Sequence, residues 1–151
     1  MTGAEARRRF AVAPVARLAT VDPQGHPHIV PIVFALARET VYSVVDAKPK
    51  RTTELRRLEN IRSNPWASVL VDHYDDADWS ALWWVRADGT ARVLELVEPE
   101  ARAAAGLLAD RHPQQRPVGP VVAIDVKRWV SWSARAAAPS ARTSRGRVSR
   151  S

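Results

Sequence analysis

The stretch VARLATVDPQGHPHIVPIVFAL, residues 15–36, is the clearest guide to the fold class of this chain. Two runs rich in apolar and β-branched residues, 15–21 and 26–36, flank the tetrapeptide DPQG. Pro23 in the second position of that tetrapeptide and Gly25 in the fourth suit a type I turn. Short apolar runs bounded by turn residues are typical of β-strands. The stretch therefore predicts two antiparallel strands joined by a tight turn.

The rest of the chain repeats this alternation of short strands and turns. Pro27 and Pro31 favour an edge or a bulge for the second strand, because proline donates no ladder hydrogen bond. Asp88-Gly89 is a hairpin signal. Further strands are predicted at 41–45, 66–74, 79–87, 90–97 and 121–134, and helices at 4–12, just after the third strand and from 99 to about 111. The expected class is mainly β, with six or seven antiparallel strands, a short helix after strand 3 and a longer one before the last strand.

The segment after the third strand, DAKPKRTTELRRLENIR at residues 46–62, is strongly basic. Only Glu54 and Glu59 oppose its six cations, which are Lys48, Lys50, Arg51, Arg56, Arg57 and Arg62. Thr52 or Thr53 can cap the helix that begins there. Helix-start amides together with clustered Lys and Arg predict a receptor for phosphate or carboxylate. A solvated basic helix face is the alternative.

Length and charge predict one folded domain followed by a tail. The chain has 151 residues, enough for a sizeable core, and a formal net charge of +7. Residues 134–151 hold five arginines and no acid, so the body, residues 1–133, carries +2. The tail consists almost entirely of Ala, Ser and Arg, and we expect it to be disordered. It either touches nucleic acid or anionic lipid through its charge or has no binding role.

Several classes of protein are disfavoured by what the sequence lacks. It has no cysteine, hence no disulfide and no thiolate. No apolar run approaches the roughly 20 residues that a membrane span needs, and the start lacks the apolar core of a signal peptide, so we expect a cytoplasmic protein. His26 and His28 could share a strand face, but without further ligands we predict no metal site. No nucleophile elbow or phosphate loop occurs, and no catalytic residue is assigned.

Three segments carry a resemblance to a known family. They are VARLATVDPQGHPHIVPIVF, NIRSNPWASVLVDHYDDADWSALWWVRADGTARVLE and VVAIDVKRWVSWSA, and together they resemble the pyridoxamine-phosphate-oxidase-like split β-barrel superfamily. The basic segment and VDHYDDADWSALWWVR look like the class B subgroup of oxidoreductases that depend on coenzyme F420. The resemblance covers roughly residues 10–133 and leaves the tail outside.

The resemblance implies a homodimer of two split β-barrels with the cofactor in a groove between the subunits. It also implies which residues contact the cofactor. The residues expected along one face of the cofactor ring are Val30, Pro31, Ile32 and Val33. Those expected to contact its anionic groups are Lys48, Lys50, Arg51, Thr52 and Arg57. Those expected near the ring pocket are Trp79, Ser80 and Trp132. The segment between Val45 and Asn60 is longer than in many relatives, so which cation meets the phosphate stays open.

The function that follows is hydride transfer between reduced F420 and a small conjugated acceptor. F420 carries a phosphate, a carboxylate and a polyglutamate tail, which suit a spread of six cations better than one phosphate does. The alternatives are an FMN-binding flavoprotein of the same fold, a carrier that binds the cofactor without turnover, and a basic protein that binds nucleic acid. The near-neutral body disfavours the last, so we expect no specific nucleic-acid partner.

Overall fold

The structure is a computed structural model that describes residues 1–46, 51–115 and 117–137. Its strands are β1 (Ala16–Val21), β2 (Pro27–Ile32), β3 (Ala35–Ala37), β4 (Thr40–Asp46), β5 (Trp66–His73), β6 (Trp83–Leu94) and β7 (Pro117–Ser133). Its helices are α1 (Gly3–Val12), α2 (Arg51–Ser63), α3 (Pro99–Arg111) and α4 (Ala134–Ala137), and a 3₁₀ turn spans Trp79–Ala81. The seven strands form one sheet in the order β2-β1-β5-β6-β7-β4-β3, and their pairings are antiparallel. The predicted mainly β class is confirmed.

The turn between β1 and β2 forms where the sequence predicts it. The backbone N–H of Gly25 donates to the carbonyl of Asp22 at 3.0 Å, which closes the turn. The Asp22 carboxylate accepts from the backbone N–H groups of Gln24 and His26 at 2.9 and 2.8 Å. Gly25 has a φ of +83°, a conformation that glycine adopts without strain. The hydrogen bond from the His26 backbone contributes most to lowering the pKa of Asp22.

The single strand predicted at residues 26–36 is wrong in its extent. The chain leaves β2 after Ile32 and enters β3 at Ala35, and these two strands lie at opposite edges of the sheet. Phe34, between them, is fully buried against Phe10, with ring centroids 5.0 Å apart. Its carbonyl accepts from the Arg111 side chain at 2.8 Å instead of pairing with a strand. Core packing at Phe34 thus ends one strand and starts another.

The hairpin predicted at Asp88-Gly89 is also wrong. β6 runs without interruption through both residues, and the register with β7 shifts between them, as in a β-bulge. A Cβ atom on Gly89 would lie 2.1 Å from the carbonyl oxygen of Asp125 on β7. The glycine therefore permits a close approach of two strands, which is the other common reason for glycine in a strand. Because Trp79–Ala81 forms a 3₁₀ turn, β6 also begins four residues later than predicted.

The helices lie on both sides of the sheet, because the β7 residues that pack with α3, Val121 and Ala123, alternate with residues of the main core. Leu58 and Ile61 of α2 and Phe10 of α1 join the main core cluster, whereas Ala104 and Leu108 of α3 belong to a second cluster. Full burial of one such leucine or phenylalanine stabilises the fold by about 1.5–3 kcal/mol. α3 has the predicted bounds. α2 and α3 each span 13 residues, so the prediction that the first of them is the shorter is wrong.

The predicted domain boundary falls at the end of β7. Ser133 is the last residue of that strand, and α4 forms the first four residues of the segment predicted as a tail. Residues 138–151 lie outside the described part of the chain, so their disorder stays a prediction. Within the described ranges, none of the helices is both long and apolar enough to cross a membrane.

Candidate functional site

The outer side of five neighbouring strands forms a broad surface, which we call the open face. Side chains alternate between the two sides of a strand, and on this side they point away from the main core cluster. Large apolar groups here stay exposed: Ile29 by 64%, Trp66 by 59% and Trp132 by 40%. In register across the strands, the open face comprises the rows Ile29, Ala19, Ser68, Asp88 and Arg128; Pro31, Arg17, Leu70, Arg86 and Val130; and Asp72, Trp84 and Trp132.

The charged groups of the open face are paired with one another. Arg86 donates from Nε and Nη2 to the two carboxylate oxygens of Asp88, at 2.8 and 3.1 Å. Ser68 donates to the same carboxylate at 2.8 Å, and Arg17 lies 3.2 Å from Asp72. Burial opposes ionisation of Asp88, but these hydrogen bonds outweigh it, so its pKa is lowered. A charge that is already paired is less costly to bury beneath a partner than an unpaired one.

A depression of about 370 Å³ lies in the middle of the open face. Its walls are Leu70, Asp72, Trp84 and Arg86, and the Arg86 guanidinium lies 5.9 Å from the Trp84 ring centroid. The volume falls within the range of small-molecule sites, which are lined mostly by apolar groups with a few polar ones. A flat ring could stack on Trp84 there.

A second polar feature lies under α2, on the inner side of the sheet. Asn60 is 1% exposed and Thr20 is 2% exposed, and the Asn60 amide donates to the Thr20 hydroxyl at 3.3 Å. His28 faces Thr20 in the β1–β2 register, and its buried Nδ1 atom has no hydrogen-bond partner among the described residues. Arg57, one turn before Asn60, is 9% exposed. This buried polar cluster brings a cation and neutral donors together, as an anion site requires.

A third feature is a cavity of about 590 Å³ beside the 3₁₀ turn, which we call the turn cavity. Asp78 caps the turn by accepting from the Ser80 backbone N–H at 3.0 Å and from its hydroxyl at 2.5 Å. These hydrogen bonds lower the pKa of Asp78. The cavity is lined by Met1, Glu5, Arg9, His73, Ser80, Ala81, Leu82, Trp83, Ser133 and Arg135.

The residues predicted along the cofactor ring do not share one surface. Val30 and Ile32 face the core, and Ile32 is only 5% exposed, whereas Pro31 lies on the open face. Val33 follows β2, and its carbonyl accepts from the Ser43 hydroxyl at 3.1 Å. In β2, therefore, only alternate side chains could reach a ligand on one side of the sheet.

The other predicted residues are also dispersed over the chain. Trp132 lies on the open face, Ser80 lines the turn cavity and Trp79 is 66% exposed beside it. Arg57 belongs to the buried polar cluster. Arg51 and Thr52 begin α2, and Lys48 and Lys50 lie outside the described residues. Within one subunit, those of the predicted residues whose side chains the structure describes do not come together in a single site.

Three residues of the buried polar cluster were not predicted as contact residues. Thr20, His28 and Asn60 are neutral side chains, whereas the predicted anion contacts apart from Thr52 are Lys and Arg. The sequence does contain a signal for Thr20. It follows Ala16 and Leu18 at every second position of β1, so its polar side chain is expected on the core side of the strand. Within the described ranges, no group of three or more His, Asp or Glu side chains could hold a metal ion.

The observed fold agrees with the family profile that the sequence matches. The sequence profile of the pyridoxamine 5'-phosphate oxidase family matches residues 2–133, from α1 to the end of β7. The chain belongs to this family. Membership accounts for the antiparallel sheet whose β2 and β3 edges are joined by a short crossing segment. A search of curated proteins found no match.

Solved structures share this pyridoxamine 5'-phosphate oxidase fold at low sequence identity. A conserved hypothetical protein from Mycobacterium tuberculosis is 23% identical, with a TM-score of 0.71 over 93% of this chain and 90% of that one. An FAD-binding protein from Mesorhizobium loti is 20% identical, with a TM-score of 0.66 over 87% and 94%. A heme storage protein from Vibrio cholerae is 16% identical, with a TM-score of 0.65 over 87% and 93%. At these identities the likeness shows the fold alone.

Proposed function

We propose that this member of the pyridoxamine 5'-phosphate oxidase family is an F420-dependent oxidoreductase acting on a small conjugated acceptor. The observation that carries the proposal is the concentration of six cations between Lys48 and Arg62. A family member that binds FMN has one phosphate to hold, for which two or three cations and helix amides suffice. The phosphate, carboxylate and polyglutamate of F420 present several anionic groups along their length.

The described part of the basic segment fits an extended anion. Arg56 is exposed on α2, whereas the Arg57 guanidinium is largely buried and offers five N–H donors in a fixed fork. Arg62, at the end of α2, lies 4.0 Å from Glu95, so its charge is partly offset within the chain. The cations nearest the helix start, Lys50 and Arg51, are therefore the proposed contacts of the phosphate.

The open face is the proposed subunit interface of a homodimer. Its exposed apolar groups, such as Ile29 and Trp132, resemble interface anchors, and its two aspartates are paired with its three arginines, which leaves one excess positive charge. Two copies that meet through this face would cover both depressions beside Trp84 and create a groove between them. The dispersal of the predicted contacts within one subunit supports this arrangement, because Pro31 and Trp132 would then complete a site begun by the partner.

When bound, F420 supplies the hydride chemistry, with the reducing pair of electrons carried on its deazaflavin ring. The residues of this chain bind, orient and exclude water. Lys50, Arg51 and Arg57 hold the anionic groups, while Trp84 and Trp132 provide flat apolar surface for the ring. The acceptor would gain a hydride from the reduced cofactor and a proton from solvent, and would lose one unit of conjugation. No side chain is assigned as an acid or base.

Equilibrium titration of the purified full chain with F420, FMN and FAD tests the proposal. We expect F420 to bind more tightly than either flavin. The variant K50A/R51A should bind F420 less tightly by about 1.5–3 kcal/mol for each charged contact that is lost. R8A/R102A removes two exposed cations elsewhere and should bind F420 like the unmodified chain. Tighter binding of FMN or FAD would overturn the choice of cofactor, and unchanged affinity in K50A/R51A would remove both residues from the site.

A flavin is the second candidate cofactor. It is favoured by the structural similarity to the FAD-binding protein from Mesorhizobium loti and to one from Mycobacterium smegmatis. A carrier without turnover is the third candidate, favoured by the similarity to a heme storage protein. Oxidation of bound, reduced F420 by a panel of conjugated acceptors separates enzyme from carrier. If no acceptor oxidises the bound cofactor faster than the free cofactor, the carrier function replaces the enzymatic one.

A further inference from the structure

The turn cavity has the size and the construction of a binding site for a small molecule. Its volume of about 590 Å³ lies well within the usual range for ligand pockets, about 300–1,000 Å³. Its lining comes from α1, from the ends of β5 and β7, from the start of β6 and from the 3₁₀ turn. A cavity that several separate segments build is held in shape by the fold as a whole.

One wall of the turn cavity is a layered aromatic surface. The Trp83 ring packs against the core, and the His73 ring stacks on it with centroids 6.0 Å apart and an interplanar angle of 20°. The Arg9 guanidinium, itself planar, lies 5.2 Å from the Trp83 ring centroid. Flat groups already gather on this tryptophan, so the wall suits a planar, conjugated ligand.

The charge of the turn cavity favours an anion. Two arginines, Arg9 and Arg135, line it against one glutamate, Glu5, which leaves one excess positive charge among these side chains. Arg9 contacts Glu5 at 2.6 Å, and Arg135 lies 4.0 Å from Asp78. Each guanidinium has more N–H donors than one such contact uses, so both can also donate to a ligand. Arginine matches the planar geometry of a carboxylate.

We infer that the turn cavity binds a planar aromatic carboxylate, with its ring on Trp83 and its carboxylate between Arg9 and Arg135. This ligand is distinct from the acceptor of the proposed reaction. Trp83 and Trp84 are adjacent in β6 and therefore face opposite sides of the sheet, so the turn cavity does not lie on the open face, where the cofactor ring is proposed to bind.

Binding of 2-naphthoate to the cofactor-free full chain tests this inference, followed by calorimetry and by quenching of tryptophan fluorescence. We expect R9Q and R135Q each to weaken binding about tenfold or more, the usual effect of losing a hydrogen bond to a charged group. The neutral analogue 2-naphthamide should bind the unmodified chain about as weakly as 2-naphthoate binds these variants. R8Q removes an exposed arginine from the same helix and should leave 2-naphthoate binding unchanged.

Two further measurements keep the result interpretable. R9Q also removes the contact with Glu5, so its melting temperature is compared with that of R8Q. If R9Q does not fold, R135Q alone tests the inference. Equal binding of naphthoate and naphthamide, or an unchanged affinity in R135Q, overturns the inference. Titration with F420 separates this from the proposed function: R9Q should bind F420 normally. Failure of F420 to bind while naphthoate still depends on Arg9 and Arg135 would sink the proposed function and leave an anion site in the turn cavity.

Discussion

Gly89 occupies a position where a side chain would collide with the backbone of the next strand. A Cβ atom there would meet both the carbonyl oxygen of Asp125, at 2.1 Å, and its carbonyl carbon, at 2.8 Å. Neither backbone atom can move away without disturbing the β6–β7 pairing, the longest in the sheet. The neighbouring Asp88 side chain is anchored by Arg86 and Ser68, which fixes the bulge from the other side.

The variant G89A should therefore lose about 1–3 kcal/mol or more of unfolding free energy, as overpacking of a tight position does. Urea denaturation measures this directly. G106A is the matched control: Gly106 lies in α3, and a Cβ atom added there would have nothing within 4 Å, so alanine should stabilise the helix by about 0.5–1 kcal/mol. If G89A and G106A shift stability in the same direction, the close approach at the bulge does not limit this position.

Among the elements, a cluster of polar side chains fastens α3 to the sheet. Arg92 of β6 donates to Glu100 near the start of α3 at 3.0 and 2.9 Å, and to Asp125 of β7 at 2.8 Å. Tyr42 of β4 donates to the same Glu100 carboxylate at 2.9 Å. The hydrogen bonds from Arg92 and then Tyr42 lower the pKa of Glu100 from 4.5 to about 2. Glu100 also lies where the helix dipole favours a negative charge.

This cluster around Glu100 predicts a defined acid sensitivity. A carboxylate whose pKa is lower in the folded state than in the unfolded one stabilises the fold above the unfolded pKa. That contribution is lost as pH falls through the window from about 4.5 to about 2. In thermal melts between pH 6 and pH 2, E100Q should therefore lose less stability than the unmodified chain. E59Q changes an exposed glutamate of α2 and should follow the unmodified chain. Parallel curves for the unmodified chain and E100Q would contradict the assignment.

For the molecule as a whole, the open face gathers several of the large apolar side chains that a single subunit leaves exposed. Three large apolar side chains stay exposed on one side of the sheet, and the depression beside Trp84 opens on that same side. Large apolar side chains gathered on one exposed surface commonly mark an interaction site. The proposed homodimer covers it and creates the groove that the proposed function needs.

Sedimentation analysis should therefore find twice the 16.7 kDa of one chain at micromolar concentration. The variant I29R/W132R places two cations on the open face and should sediment as a monomer. Both positions are exposed, so its circular dichroism should stay unchanged. L107R alters another large exposed apolar side chain, on α3 and outside the rows that define the open face, and should remain a dimer. A monomeric unmodified chain would overturn the proposed interface.

Local sequence signals were enough to establish the kinds of elements and most of their positions. Turn residues predict the β1–β2 turn, and the alternation of apolar groups predicts β5. A proline at the helix start predicts α3 with its bounds. These signals act within a few residues, so they can be interpreted without knowledge of the fold. The family resemblance rests on the same local segments, and the profile match over residues 2–133 confirms it at the level of the family.

Long-range packing settled how these elements connect and which side chains meet. The dipeptide Asp88-Gly89 is typical of a hairpin, but β7 approaches closely at Gly89 and β6 continues through it. Phe34 lies in a sequence typical of a strand, but its packing in the core turns the chain there. The turn cavity joins Arg9, Trp83 and Arg135, which are far apart in sequence. Contacts of this kind depend on the packing of distant segments. Periodicity and turn chemistry report only on neighbours along the chain, so they carry no record of such contacts.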